Sequence, residues 1–131
     1  MRKCLLVLCL FFLGCASAMV ERIEQVSQSY DNVVFDDAIS WEEAKIMAQK
    51  ELIDKNFVEI YDLKNPYAER KVEYKDLPHY QDHWLVFFKE RERRSIPSVF
   101  TVIIHKETGR IKFADDYAKE SLWMLEAALL K

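Results

Sequence analysis

The sequence predicts a small α+β domain, in which an antiparallel meander of long strands near residues 84–113 packs against an N-terminal capped helix and a C-terminal helix. Three observations support this prediction. Two long apolar runs lie close together, at Trp84 to Phe88 and at Val99 to Ile104. A glycine, Gly109, follows the second run at the distance of a tight turn. Amphipathic stretches with helix start signals flank the meander on both sides.

The meander is predicted from the alternation of side chains along each run. In Trp84 to Phe88 both alternate sets are apolar, so we expect that strand to be covered on both faces, and Val99 to Ile104 behaves in the same way. Arg110 to Phe113 alternates charged and apolar residues, as a half-exposed strand near an edge does. The hairpin loop from Lys106 to Gly109 ends in a residue that tolerates positive φ, which favours a type I turn followed by a left-handed glycine.

The two helices are predicted from their caps and apolar stripes. Ser40 and Glu43 match a capping box, and Asn56 is a plausible left-handed stop. The apolar stripe of this first helix consists of Trp41, Ala44, Met47, Ala48 and Leu52. Asp115 and Asp116 suit the start of a C-terminal helix. Its stripe consists of Ala118, Leu122, Leu125 and Leu129.

Shorter segments give less decisive patterns. Residues 33–35, 57–61 and 71–74 are predicted as short strands, and 64–66 as a turn. Residues 21–30 have helical spacing but are polar, so a tether and a marginal helix fit equally well.

The N-terminus has the charged start and short apolar run of a secretory signal peptide. Two cleavage sites compete. Residues 12–15 resemble the lipobox of bacterial lipoproteins, in which Cys15 would become the acylated N-terminus, and residues 16–18 resemble an ordinary A-x-A site. The lipobox is favoured because Gly14 and Cys15 directly follow the apolar run.

We therefore predict a signal peptide at 1–18 with cleavage before Cys15, a tether or lead-in at 19–38, and a single α+β domain at 39–131. The mature protein would be a lipid-anchored cell-envelope protein facing the periplasm, or a secreted or periplasmic one if cleavage follows Ala18.

All three cysteines lie at or before Cys15, so no disulfide is expected in the mature domain. Loss of Arg2 and Lys3 with the signal leaves 17 of the 19 basic residues against 22 acidic ones, a net charge of −5. This charge argues against a nucleic acid partner.

The motifs of the common enzyme classes are missing from the sequence. Gly109 is the only glycine of the mature domain, which argues against a phosphate-cradling loop, and there is no G-x-S-x-G elbow and no mature thiol. His79, Asp82 and His83 could offer ligands to a metal, but Pro78 before them and an extended run after them favour a solvated loop. We predict no catalytic residue, no metal and no cofactor.

Two features could instead serve a protein interface. The charge run of residues 89–94 includes Arg91, Arg93 and Arg94, and Tyr67 and Tyr80 lie in or beside loops. Arginine and tyrosine often supply most of the binding energy at interfaces, so these five are the predicted partner-binding residues. A solvated hairpin end for the charge run, and core or sheet packing for the aromatic residues, remain the alternative interpretation.

Several motifs follow one another in a characteristic order: Ser40-Trp41-Glu42-Glu43-Ala44, Ala48, Pro66, Trp84-Leu85-Val86 and the run from Phe100 to Ile111. This order resembles small bacterial immunity lipoproteins with a nuclear transport factor two-like fold, over about Ile39 to Phe113. That resemblance implies a lipid-anchored, non-catalytic protein that binds and neutralises a protein partner such as a toxin. PepSY-like domains share the same skeleton and would imply a periplasmic regulatory or inhibitory role toward an exported enzyme.

Overall fold

The computed structural model describes residues 17–66, 81–92 and 99–113. Over these residues the chain forms helices α1 (17–30) and α2 (Trp41–Asp54) and a three-stranded antiparallel sheet of β1 (His83–Lys89), β2 (Val99–His105) and β3 (Ile111–Phe113). The predicted α+β class and the meander, in the order β1-β2-β3, are therefore confirmed. The predicted C-terminal helix and the predicted strand at 71–74 lie outside the described residues.

Helix α2 begins with the predicted capping box. The Glu43 amide donates to the Ser40 hydroxyl at 3.3 Å, and the Glu43 carboxylate accepts from the Ser40 amide at 2.9 Å. Its other oxygen accepts from the amide of Val34 at 3.2 Å. The Ser40 hydroxyl also donates to this carboxylate, at 2.7 Å, and this bond, followed by those from the Ser40 and Val34 amides, lowers the pKa of Glu43. One carboxylate thus both caps α2 and holds the preceding loop against it.

The end of α2 is a Schellman motif. Asn56 has a φ of 58°, as the sequence predicted for a left-handed stop. The Asn56 amide donates to the Ile53 carbonyl and the Phe57 amide donates to the Leu52 carbonyl, each at 3.0 Å. This arrangement satisfies carbonyls that would otherwise be unpaired at the helix end, and it turns the chain sharply at Phe57.

The sheet has two buried faces, as predicted for its central strands. Val86 lies opposite Val102, and Phe88 opposite Phe100, on the face that α2 covers. Leu85, Phe87 and Ile103 point the other way, and they are also buried. The short β3, opposite residues 102–104, has an exposed Lys112 and Phe113 and agrees with the predicted edge position.

The core lies between α2 and the sheet. Ala44 and Ala48 are completely buried, and their small side chains let the helix approach the strands closely. Larger apolar side chains fill the remaining space. The core cluster comprises Val33, Ile39, Ala44, Met47, Ala48, Leu52, Leu63, Val86, Phe88, Val102 and Ile104.

The β2–β3 turn packs against the loop before α2 through its glycine. Gly109 has a φ of 65°, as predicted. A Cβ at Gly109 would lie 3.2 Å from Cδ1 of Phe35 and 3.4 Å from side-chain carbons of Ile39 and Met47. The position therefore requires glycine both for its backbone conformation and for its packing.

Two predicted strands are wrong. Residues 33–35 form no strand, because the Val33 amide donates to the Tyr30 carbonyl and the Val34 amide donates to Glu43. Residues 57–61 form a turn, since the amides of Ile60 and Tyr61 both donate to the Phe57 carbonyl. In both segments local hydrogen bonds take the donors that a strand would need.

Residues 21–30, for which a tether and a helix fitted equally well, are part of α1. One face of α1 contacts the domain: Val26 is buried, and Met19, Ile23 and Tyr30 pack against the core cluster. The predicted lead-in at 19–38 thus contributes apolar contacts. The predicted domain boundary and the signal peptide remain predictions.

Candidate functional site

Residues 57–62 lie along the end of β1 and bring a predicted binding residue next to a group of aromatic rings. The Asp62 amide donates to the Lys89 carbonyl at 2.8 Å, and the Arg91 amide donates to the Ile60 carbonyl at 2.9 Å. Between these bonds Tyr61 forms an isolated antiparallel bridge with Glu90. The charge run therefore begins directly beside the turn that follows α2.

Arg91 has a defined position at this junction. Its side chain is exposed, and one guanidinium nitrogen donates to the Val58 carbonyl at 3.3 Å. The bond holds the positive charge close to the turn. Arg91 is the one predicted partner-binding residue within the described ranges. The other predicted site residues, Tyr67, Tyr80, Arg93, Arg94 and the lipidation residue Cys15, lie outside them.

Four aromatic side chains form a connected group, which we call the aromatic patch: Phe57, Tyr61, Phe100 and Phe113. The ring centroids of Phe57 and Phe100 are 5.3 Å apart, and those of Tyr61 and Phe100 are 5.6 Å apart. Phe113 continues the group from β3, with its centroid 5.7 Å from that of Phe100. Such ring contacts hold each side chain in one orientation, so the patch is preorganised.

The patch reaches the surface. Phe113 is 38% exposed, and Ile60 beside Tyr61 is 41% exposed, while Phe57, Tyr61 and Phe100 are half-buried. The Nζ of Lys55 lies 4.3 Å from the centroid of the Phe113 ring. A cation in this position is attracted to the ring face. The patch therefore combines exposed apolar area with a positive charge at its border.

A polar cleft of about 430 Å³ adjoins the patch and is lined by Asp62, Asn65, Lys89, Glu90 and Arg91. The Asp62 carboxylate accepts from the Lys64 amide at 2.9 Å and from the Asn65 side chain at 3.0 Å, which fixes this wall of the cleft. The walls carry charges of both signs. An apolar centre with a polar border of this kind is typical of protein interfaces.

Sequence reasoning did not place Tyr61 together with Phe57, Phe100 and Phe113. Their common face depends on the register in which Phe88 lies opposite Phe100 and Val102 lies opposite Phe113. The signal in the sequence that could have predicted the patch was the presence of aromatic residues at alternate positions of the predicted strands. It was ambiguous, because Phe57 and Tyr61 were themselves assigned to a strand.

Within 17–66, 81–92 and 99–113, no group of three or more histidine, cysteine, aspartate or glutamate side chains could hold a metal ion. Asp82 and His83 of the possible metal group lie in this part of the chain, and His79 does not. Neither of the two helices in these ranges is long and apolar enough to cross a membrane.

Comparison of the chain with known protein families, with curated proteins and with solved structures found no match.

Proposed function

We propose that this protein is a non-catalytic binding protein that occupies a protein partner through the aromatic patch and the adjoining polar cleft. The observation that carries the proposal is the connected group of Phe57, Tyr61, Phe100 and Phe113, which reaches the surface beside Arg91 and Lys55. Interfaces concentrate binding energy in a few aromatic and arginine residues. The patch presents both kinds of residue together.

The border of the patch supports a protein rather than a small molecule as the partner. The exposed apolar area is spread over separate segments, at Ile60 and Phe113, and the neighbouring cleft is polar and carries mixed charges. A small apolar ligand would favour a concave and mostly apolar pocket. A protein can cover the exposed rings and meet the charges around them at the same time.

The proposal includes export and anchoring. The mature chain would carry lipid at Cys15 and face the periplasm, and its partner would be a toxin that it neutralises. A partner that is an exported enzyme or sensor would instead indicate a PepSY-like regulatory role. Identification of the partner therefore decides between the two versions of the binding function.

The test is site-specific photo-crosslinking in cells. A photoreactive phenylalanine analogue replaces Phe113 in one strain and Val20 in another, since Val20 lies on α1 and is 56% exposed. We expect a partner to crosslink at Phe113 and not at Val20. The crosslinked protein is then identified by mass spectrometry and purified.

Binding of the purified partner is then compared between the wild-type protein and two variants. Tyr61→Ala together with Arg91→Ala is expected to weaken binding by about 2 kcal/mol or more, as hot-spot residues do, while Val20→Ser leaves it unchanged. Circular dichroism confirms that each variant is folded. Equal crosslinking at both positions, or full binding by the folded double variant, would refute the proposed surface.

A further inference from the structure

A second group of polar side chains lies at the opposite end of the sheet from Phe100, next to the β2–β3 turn. His83 lies directly opposite His105 in the β1–β2 register. Their ring centroids are 4.9 Å apart and the rings are nearly perpendicular, at 82°. The His105 amide donates to the Arg110 carbonyl at 2.9 Å, which places Arg110 next in the same cross-strand row.

This row occupies the sheet face that points away from α2. Its neighbours along the strands, Trp84 and Ile104, belong to the α2 side, so alternation places His83 and His105 on the other face. Lys112 lies opposite Ile103 and shares that face. The four polar residues and Ile111 line a cleft of about 270 Å³.

The cleft is rich in positive charge and hydrogen-bond donors. Arg110 and Lys112 are cationic, and no carboxylate is present among the five residues that line it. Burial lowers the pKa of His83, and the charges of Lys112, His105 and Lys106 lower it further. The Asp82 carboxylate acts in the opposite direction but does not reverse the shift. The charges of Lys112 and Lys106 therefore act together with burial to disfavour the imidazolium form of His83.

The His105 ring is held in place by its own turn. The amides of Glu107 and Thr108 each donate to Nδ1 of His105 at 3.2 Å. Nδ1 is therefore an acceptor, and in the neutral ring the hydrogen lies on Nε2. The ring presents a fixed N–H donor rather than a mobile one, and it is packed edge to face against His83.

We propose that this cleft binds an oxyanion, either a phosphate or a carboxylate group. Arginine, lysine and histidine residues on or beside three strands of the sheet line it, and charge-assisted hydrogen bonds from such side chains are the strong ones in proteins. The His105 ring is already held by its turn, so anion binding would not have to order that donor. The site is on the other face from the aromatic patch, so it is independent of the proposed partner surface.

The test is an NMR titration of the full mature protein with sodium phosphate and, separately, with sodium acetate. Sodium chloride at the same ionic strength is the reference. The imidazole resonances of His83 and His105 are followed, together with the Arg110 side chain. We expect saturable shifts with phosphate, acetate or both, and a rise in the pKa of His83, because a bound anion stabilises the imidazolium form.

Variants determine whether the response arises from the cleft. Arg110→Gln is expected to weaken anion affinity about tenfold or more, as is Lys112→Gln, because each removes a charged donor. Lys64→Gln, which removes an exposed lysine elsewhere, is the matched control and leaves the affinity unchanged. The comparison of phosphate with acetate identifies the chemical class of the anion.

The proposal is overturned by shifts that equal those in sodium chloride, by shifts that do not saturate, or by equal affinity in the wild type, Arg110→Gln and Lys112→Gln. None of these results bears on partner binding, since the crosslinking experiment concerns the α2 face. Conversely, a failure to crosslink at Phe113 leaves the anion site unaffected.

Discussion

The indole Nε1 of Trp84 donates a hydrogen bond of 2.8 Å to the carbonyl of Ile39. The Ile39 amide in turn donates to the carbonyl of Lys106, so one residue joins β1 to the turn after β2. The Trp84 ring also packs against Trp41 at the start of α2, with centroids 5.4 Å apart. Trp84 therefore connects the sheet, the hairpin turn and the first turn of the helix.

Two substitutions of Trp84 distinguish the contribution of the buried ring from that of the indole hydrogen bond. Trp84→Ala is expected to lower the free energy of unfolding by about 3 to 5 kcal/mol through lost burial and a residual cavity. Trp84→Phe keeps an aromatic ring and loses the hydrogen bond, which is expected to cost about 1 to 3 kcal/mol. Urea denaturation measures both, with Lys64→Ala as a surface control. A smaller loss in Trp84→Ala than in Trp84→Phe would contradict this account.

Gly109→Ala tests the hairpin turn. The left-handed backbone and the 3.2 Å approach of a Cβ to Phe35 both oppose a side chain here, so we expect a loss of about 1 to 3 kcal/mol. Glu107→Ala, in the same turn but exposed, is the control. In thermal denaturation we expect a lower midpoint for Gly109→Ala than for Glu107→Ala. Equal midpoints would show that the turn tolerates a side chain at this position.

Glu43 links stability to pH. Its folded-state pKa is lowered by its bonds to Ser40 and Val34, so its contribution is present above the unfolded-state pKa of a glutamate and is lost as pH falls through the folded value. Glu43→Gln is expected to reduce this loss on acidification relative to the wild type. Glu24→Gln, an exposed carboxylate on α1, is the control. Urea melts at pH 7 and near pH 3 provide the comparison.

His83 is expected to titrate below the ordinary histidine pKa of about 6.5. Because the fold favours its neutral form, the stability that it contributes is present above that pKa and decreases as pH falls through the folded value. Lys112→Gln is expected to raise the pKa of His83, since the lysine charge opposes its protonation, and Lys64→Gln leaves it unchanged. NMR titration of the imidazole checks the direction of both shifts.

Lipidation at Cys15 is tested by mass spectrometry of the mature protein isolated from membranes. The lipobox predicts an acylated N-terminal cysteine, and Cys15→Ser is expected to release the protein from the membrane fraction. An unmodified N-terminus at Met19 would show that cleavage follows Ala18 instead.

Local signals in the sequence were sufficient to predict α2 and the meander. Three local features each specify a backbone conformation through neighbouring atoms: the Ser40 and Glu43 pair, the Asn56 stop and Gly109. Along β1 and β2 both alternate sets of side chains are mostly apolar, which predicts a sheet with two buried faces. Each of these features depends on residues close together in the chain, so sequence reasoning could recognise them.

Tertiary structure decided the segments and surfaces that depend on distant residues. The short apolar segments at 33–35 and 57–61 resemble strands in sequence. The Val34 amide instead donates to Glu43 in α2, and residues 57–61 turn locally and bond to the end of β1 through the Ile60 carbonyl. The aromatic patch and the His83–His105 row also bring together residues far apart in the chain. Strand register determines which residues become neighbours, and it depends on the packing of the whole sheet against α2.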